Sequence, residues 1–249
     1  MDNYPDNIIE TTLAIETSGR IGSVAVGRNG SLLAESTFSG FMKHSTELFG
    51  RIEDLLKQIK ARPADISQLY ITAGPGSFTG LRIAVTVAKM LNFSHKTKIV
   101  AADSMDVLVE NATLYNQQTN IPVDCVATIL DAKRNLFYAG VSQRTDAGWE
   151  KILPTQLISA EDLMDQLRQS GRNKVAFLGE GLTYYAKKFE SPFSVILDET
   201  FWPARASGLF AAGTKMARQG QFADPKTLVP FYIRRPEAVE NWEKRQNQQ

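Results

Sequence analysis

Apolar and β-branched runs alternate with short polar turns at the start of the chain. "TTLAIETS" and "GSVAVGRNGSLLAEST" contain three such runs, separated at Ser18-Gly19-Arg20 and at Arg28-Asn29-Gly30. Asn-Gly between apolar runs is a strong hairpin signal, because both turn positions favour a positive φ. The pattern therefore predicts that the chain opens as an antiparallel meander of three strands.

Two helices are predicted in the region that follows. Between residues 45 and 60 the apolar positions are spaced by four, three, one and three, which places them on one helical face, and Pro63 is expected to end this helix. These positions are Leu48, Ile52, Leu55, Leu56 and Ile59. A second helix, over residues 79–93, is apolar on nearly every side, which is typical of a helix buried by its own chain or by a partner.

The rest of the chain alternates predicted strands with predicted helices, which indicates an α/β fold with mixed sheets. Ser104 is expected to cap a helix that ends near Asn111. We place a boundary between residues 1–102 and 103–249, although no linker rich in proline, glycine or serine marks it. The predicted strands are 69–73, 98–101, 123–130 and 136–142, with an apolar stretch at 175–178, and the later helices are 160–170, 182–189 and 206–219.

The chain contains an internal repeat. "LAIETSGRIGSVAV", residues 13–26, aligns without a gap with "TILDAKRNLFYAGV", residues 128–141, and Glu16 falls over Asp131. In both segments an acid ends a strand, a polar turn follows, and a second apolar strand begins. A chance match over a short window is one interpretation, and a duplicated domain whose hairpin turns face a cleft is the other.

Composition limits the classes of function. A chain of 249 residues is long enough to bury roughly 70 to 75% of its unfolded surface, so it needs no disulfide or metal to fold. With 28 basic and 27 acidic residues there is no overall positive field, so contact with nucleic acid would need a local patch. Cys125 lies in an apolar stretch and is expected to be a buried small hydrophobe.

The chain shows no membrane or secretion signal. Asp2 and Asp6 replace the basic start of a secretory signal, and the longest apolar run, residues 81–93, is interrupted by Arg82 and Lys89 and is too short to cross a bilayer. We expect a soluble cytoplasmic protein.

A glycine-rich turn, "TAGPGSFTGLRIA", links a predicted strand to the apolar helix. Backbone amides and the helix dipole at such a turn can bind an anion. The turn lacks the Gly-Lys-Ser/Thr of a P-loop, and Gly74, Gly76 and Gly80 are spaced G-x-G-x-x-x-G, unlike the dinucleotide fingerprint. Asp103 could serve as a ribose acid, so a dinucleotide site stays an alternative.

The other candidate residues point to no complete catalytic site. His44 and His95 have no further histidine or cysteine at metal-ligand spacing, so no metal site is expected. Ser77 lies outside a G-x-S-x-G elbow and is interpreted as a turn serine bonded to nearby backbone. Glu16 and Asp131 could each hold a metal ion or a water, or could be solvated or bonded to their own turns. Gly179-Glu180-Gly181 forms a second glycine turn. The weak candidates for binding a cofactor are Glu16, Thr17, Ser18, Gly74, Gly76 and Ser77.

Several of these segments resemble a known family. "LAIETSGRIGSVAV" resembles the opening hairpin of the ASKHA (actin, sugar kinase, Hsp70) superfamily. "GPGSFTGLRIAVTVAK" is similar to the signature segment of the TsaB (YeaZ) family in order and spacing. "HSTEL" at 44–48, "LDAKRNLFYAGV" and "PFYIRRPEAV" at 230–239 resemble later landmarks of that family, so the likeness covers nearly the whole chain.

The resemblance implies a bacterial protein with two ASKHA-like subdomains that helps to make threonylcarbamoyladenosine in tRNAs reading codons that start with A. Such proteins are non-catalytic partners of the metal- and nucleotide-binding transferase TsaD, and a small ATPase, TsaE, joins the complex. The family pairs the helices before and after the glycine turn with the same two helices of the transferase. Carried onto this chain, the interface falls on residues 45–60 and 79–93, and its expected residues are His44, Leu48, Ile52, Leu55, Thr79, Arg82, Ile83, Val85, Thr86 and Lys89.

The resemblance implies no catalytic residue, metal or intrinsic cofactor. Catalytic relatives hold a metal with paired histidines, and nucleotide-binding members place Asp at the position of Glu16 and Gly and Thr where this chain has Ala132, Lys133 and Arg134. A nucleotide at the interface shared with the partner stays open, as do a homodimer through the same face and tRNA contact through Arg234, Arg235, Lys244 and Arg245. The rival function is an ASKHA-type nucleotide hydrolase or small-molecule kinase that uses Glu16. Older protease labels of the family find no triad here.

Overall fold

Two five-stranded sheets, each built around an antiparallel hairpin, form the framework of the protein. The computed structural model describes residues 10–39, 44–233 and Gln246. No helix in this part of the chain has the length and apolar character needed to cross a membrane.

The first sheet has the strand order β3-β2-β1-β4-β5. Its first three strands form the predicted meander, and Asn29 and Gly30 both have positive φ at the second turn, as the Asn-Gly pair predicts. The last two strands run parallel to β1. The strands are β1 (Thr11–Glu16), β2 (Ile21–Arg28), β3 (Ser31–Ser39), β4 (Ile66–Gly74) and β5 (Lys98–Asp103).

Two helices, α1 (His44–Gln58) and α2 (Phe78–His95), lie close to their predicted ranges. We predicted that Pro63 ends α1, but the helix ends earlier, at Gln58. The chain leaves that helix at Lys60, which has a left-handed φ, and the Ala61 amide donates to the Leu56 carbonyl. Pro63 instead begins a short 3-10 turn, Pro63–Asp65.

The apolar rows of both helices cover one face of the first sheet. Leu48, Ile52, Leu55 and Val85 are each at most 8% exposed and pack in one core with Leu13 and other residues of the sheet. We placed these four residues in the expected partner interface, but their side chains are buried against the chain's own sheet. The most regular apolar row of an amphipathic helix goes to the sheet of the same chain, because the sheet face must also be covered.

The second sheet has the strand order β10-β9-β6-β7-β8. Strands β8 and β10 were not predicted, and the predicted helix over 182–189 is a four-residue helix followed by a 3-10 turn, Ala186–Phe189. The strands are β6 (Cys125–Asp131), β7 (Leu136–Thr145), β8 (Gly148–Ser159), β9 (Val175–Leu178) and β10 (Ser194–Ile196). The helices are α3 (Ser104–Gln118), α4 (Ala160–Gln169), α5 (Leu182–Tyr185) and α6 (Ala206–Arg218).

The cap of α3 also differs from the prediction. Asp103, and not Ser104, caps this helix, because its carboxylate accepts a hydrogen bond from the Met105 amide at 2.7 Å. The helix continues to Gln118, well beyond the predicted end. Cys125 is a free, buried cysteine, as predicted.

The two sheets share one topology. In each, a three-stranded antiparallel meander is extended by two parallel strands, and the aligned segments of the internal repeat form the first hairpin of each sheet. This arrangement favours the duplicated domain over a chance match. The chain is therefore an α/β protein with two mixed sheets of the same topology, as the sequence predicted.

Helices α3 and α6 lie between the two sheets and join them in a second core. Leu13 and Ile15 face the core under α1 and α2, whereas Ala14, between them on β1, belongs to the second core. The ring centroids of Tyr70 in the first sheet and Phe210 in α6 lie 5.8 Å apart. The boundary at 102/103 remains a prediction. Helix α6 belongs to the second half of the chain, yet it packs against the first sheet.

Candidate functional site

The glycine turn between β4 and α2 packs against the first hairpin turn. The Ser77 amide donates to the Ser18 carbonyl at 2.7 Å, and the Thr17 hydroxyl donates to the Gly80 carbonyl at 2.8 Å. A Cβ atom on Gly80 would lie 1.8 Å from the Thr17 carbonyl oxygen, and one on Gly76 would lie 2.6 Å from that of Ser18. These glycines allow two backbone segments of the same chain to touch.

Two amides near the start of α2, those of Ser77 and Gly80, bind oxygens of the chain itself. Ser77 is the N-cap, its hydroxyl oxygen accepts from the Gly80 amide at 3.3 Å, and its own amide is bonded to Ser18. This confirms the interpretation of Ser77 as a turn serine. The turn sets the position of α2, and the donors described here are not directed at a phosphate.

Glu16 is directed into the protein. Its side chain is fully buried, and Oε1 accepts from the amide and the hydroxyl of Ser18, each at 2.6 Å. The hydroxyl of Thr72 donates to Oε2. Burial raises the pKa of Glu16, and the hydrogen bonds from Ser18 and Thr72 oppose that rise. Glu16 therefore braces the hairpin turn, which favours the turn-bonded interpretation of this acid over a metal or a water held in an open cleft.

Asp131, the equivalent acid in the second sheet, is bonded to its own turn. One oxygen accepts from the Lys133 amide at 2.7 Å, and the other pairs with the Lys133 ammonium at 3.0 Å. Lys133, Arg134 and Asn135 all have left-handed φ values. The turn-bonded interpretation of Asp131 is therefore the correct one.

Asp103, the acid of the dinucleotide alternative, is also used within the chain. Besides capping α3, its carboxylate accepts from the Thr155 hydroxyl at 3.0 Å and lies 3.4 Å from the Lys151 ammonium. Among the described residues, no three His, Cys, Asp or Glu side chains are placed to hold a metal ion.

The second glycine turn lies opposite the first hairpin turn. Both carboxylate oxygens of Glu180 accept from the Arg20 amide, at 3.0 and 2.8 Å. Burial raises the pKa of Glu180, while the amides of Arg20 and Ile21 and the Arg20 charge oppose the rise. Sequence reasoning singled out the turn but not this contact, because its partners are 160 positions apart.

An apolar groove runs along the outer face of α1 and α2. Large exposed side chains border it: Phe49 is 56% exposed, Phe78 43% and Met90 61%, and Phe93 near the end of α2 is 85% exposed. Of the predicted interface residues, Thr79, Arg82, Ile83 and Thr86 line the groove. The complete lining is Phe49, Phe78, Thr79, Arg82, Ile83, Thr86, Val87 and Met90.

Sequence reasoning missed the aromatic residues and the methionine of this groove. Phe49 and Met90 lie off the helical rows that cover the sheet. A large apolar residue at such a position is the sequence signal that could have identified them as groove residues. Lys89 is half-buried, and His44 begins α1 but the position of its side chain lies outside the described residues.

A C-terminal segment, residues 229–232, extends the apolar surface beside the groove. The Phe231 amide donates to the Ala73 carbonyl at 2.7 Å, and the Tyr232 ring centroid lies 5.4 Å from that of Phe78. The Arg82 guanidinium lies over the Phe78 ring at 5.1 Å. The predicted tRNA contacts Arg234, Arg235, Lys244 and Arg245 lie outside the described residues.

The model of the family described as "TsaD: tRNA N6-adenosine threonylcarbamoyltransferase" matches residues 33–242. The chain belongs to this family. A relative from Bacillus subtilis (strain 168), named tRNA threonylcarbamoyladenosine biosynthesis protein TsaB, is 29% identical over 93% of this chain and 97% of its own length. The Escherichia coli (strain K12) protein of the same name is 23% identical over 89% of this chain and 94% of its own length.

A solved structure, YeaZ from Pseudomonas aeruginosa, has the same fold. It superposes with a TM-score of 0.73 at 21% identity and covers 90% of this chain and 99% of its own. The curated names and this fold confirm the resemblance to the TsaB (YeaZ) family that the sequence motifs indicated.

Proposed function

We propose that this chain is a non-catalytic structural and activating subunit of the complex that transfers a threonylcarbamoyl group to adenosine in tRNAs reading codons that start with A. Curated relatives named tRNA threonylcarbamoyladenosine biosynthesis protein TsaB support a role in this pathway. The observation that carries the proposal is the apolar groove of α1 and α2, which stays exposed among the residues that the structure describes.

The groove has the properties of a docking face for a partner's helices. Phe49, Phe78 and Met90 expose large apolar surfaces side by side, and the removal of such surface from water favours association. The family resemblance implies that the same two helices contact the TsaD-type transferase. The contacting residues that we propose are Phe49, Phe78, Thr79, Arg82, Ile83, Thr86 and Met90.

The family is named for a transferase, yet the side chains described here favour a subunit without its own chemistry. A nucleotide hydrolase or kinase needs carboxylates that reach its ligand and metal. Glu16 is fully buried, and Asp131, Asp103 and Glu180 are bonded to turns or helix ends of this chain. These contacts weigh against the alternative of an ASKHA-type hydrolase or kinase.

The remaining partner assignments follow from the same proposal. A TsaE-type ATPase joins the complex, a nucleotide can lie at the shared interface, and tRNA is bound through the assembled complex in the cytoplasm. In the absence of the transferase, the same apolar face is available for a homodimer.

Substitution of the groove residues tests the docking face. Phe49→Asp and Met90→Asp place a charge in the apolar surface and should weaken binding to the TsaD-type transferase about tenfold or more, since the loss of one anchoring side chain costs one to several kcal/mol. Both positions are exposed, so the free chain should keep its fold. Affinity is measured by titration calorimetry, and the fold by circular dichroism.

Ile121→Asp is the matched control, because Ile121 is 64% exposed but lies on the loop between α3 and β6. It should bind the transferase as the unmodified chain does. Unchanged affinity of both groove variants would refute this docking face.

A further inference from the structure

Two turns from different sheets contact each other. Residues 17–20 join β1 to β2, and residues 179–181 join β9 to α5. The Glu180 carboxylate accepts from the Arg20 amide with both oxygens, at 3.0 and 2.8 Å. A Cβ atom on Gly19 would lie 3.0 Å from Glu180 Oε1, so the hairpin turn closes tightly on this carboxylate.

The contact has the chemistry of an anion bound to a backbone turn. Backbone amides in a turn form a concave site for anions, and hydrogen bonds to an ionised acceptor are among the strong ones. Here the chain supplies its own anion. A second contact supports the first, because the Arg20 guanidinium lies 4.8 Å from the Tyr184 ring centroid and donates to the Tyr184 hydroxyl at 3.3 Å.

The same hairpin turn holds the first turn of α2 on its other side. Ser18 accepts from the Ser77 amide through its carbonyl, and Thr17 donates to the Gly80 carbonyl. Glu16, fully buried, binds the amide and hydroxyl of Ser18. The hairpin turn is therefore placed between Glu180 and the N-terminal end of the docking helix.

The other end of this series of contacts is fixed to the second sheet. The Gly181 amide donates to the Ile129 carbonyl of β6 at 3.0 Å. Short polar contacts thus run without a gap from β6, through Glu180 and the hairpin turn, to the start of α2.

We infer that Glu180 is a positioning residue for the partner-binding face: it holds the hairpin turn, and through it the N-terminal end of α2, in the geometry that the transferase recognises. Glu180 does not itself lie on the groove. The inference rests on the proposed function of the α1 and α2 face. The amide of Arg20 in the hairpin turn, which could bind an external anion, binds the Glu180 carboxylate of the same chain instead.

The test compares Glu180→Ala and Glu180→Gln in the full chain. Glu180→Ala removes the acceptor and should weaken affinity for the transferase about 3- to 30-fold, the range for residues that act on a site without touching it. It should also speed hydrogen exchange of the Arg20 and Ser77 amides in the free chain. Glu180→Gln keeps one carbonyl acceptor for the Arg20 amide and should recover part of both effects.

Two controls separate positioning from a general loss of stability. Glu190→Ala removes an exposed acid of the same subdomain and should change neither affinity nor exchange. Leu163→Ala opens the second core at α4, at a side chain that takes no part in the contacts between Glu180 and the hairpin turn, and should lower stability without weakening partner binding.

The outcomes for Glu180 and for the docking face are distinguishable. Wild-type affinity and unchanged Ser77 exchange in Glu180→Ala overturn the inference, and so does an equal loss of affinity in Leu163→Ala. If Phe49→Asp and Met90→Asp both still bind the transferase normally, the docking proposal fails, while the exchange of the Ser77 amide in the free chain still decides whether Glu180 positions α2.

Discussion

Among single residues, Glu16 shows how a strand-end acid is used inside this fold. Its carboxyl group is fully buried and bonded to Ser18 and Thr72, and burial raises its pKa above the ordinary value. The native chain therefore binds this proton more tightly than the unfolded chain does. It follows that the contribution of Glu16 to the free energy of unfolding is greatest at low pH and falls as the pH rises through the raised pKa.

Glu16→Gln should remove that part of the pH dependence. Because the amide does not titrate, the unfolding free energy of the unmodified chain minus that of the variant should decrease as the pH rises from about 4.5, by up to about 1.4 kcal/mol per pH unit. Urea unfolding at several pH values measures this difference. A difference that stays constant with pH would show that the native fold does not raise this pKa, and a difference that grows with pH would show that the native fold prefers the charged carboxylate.

At the scale of elements, the glycine turn and α2 depend on the hairpin turn against which they pack. Gly80 lies in the first turn of α2, where a Cβ atom would meet the Thr17 carbonyl oxygen at 1.8 Å. Gly50 in α1 is a matched contrast, since a Cβ atom there would have no heavy atom within 4 Å. Substitution of glycine by alanine should therefore change the free energy of unfolding in opposite directions in the two helices.

Gly80→Ala should lower the free energy of unfolding by about 1–3 kcal/mol, because either the hairpin turn or α2 must move to admit the methyl group. Gly50→Ala should raise it by about 0.4–1 kcal/mol, because alanine narrows the unfolded ensemble without meeting a neighbour. Chemical unfolding of both variants measures the pair. Equal effects at Gly80 and Gly50 would contradict the packing role of the glycine turn.

Local patterns predicted the meander, α2 and most of the helices, because each of these follows from spacing or turn chemistry within a few residues. Strand β8 escaped prediction because it has no continuous apolar run and carries Pro154, which argues against a strand. The expected interface residues included the apolar row of α1, which in fact covers the chain's own sheet, and residues of α2 that do line the groove. The bond between Glu180 and Arg20 joins distant segments, and only the folded chain brings them together.

Across the whole molecule, duplication explains both the symmetry and the division of roles. Each of the two sheets of one topology contains a first hairpin whose turn is bound by an acid of the chain, Glu180 at the first and Asp131 at the second. The large exposed apolar side chains of α1 and α2 lie instead on the outside of the first sheet. This arrangement suits a subunit that acts through a surface.

The most direct measurement is the threonylcarbamoyladenosine content of bulk tRNA after the protein is depleted in its host. The account predicts that the modification falls, that the unmodified gene restores it, and that a gene carrying Met90→Asp does not, although the variant protein accumulates normally. Ile121→Asp should restore it fully. Normal threonylcarbamoyladenosine after depletion, or full restoration by Met90→Asp, would contradict the central claim.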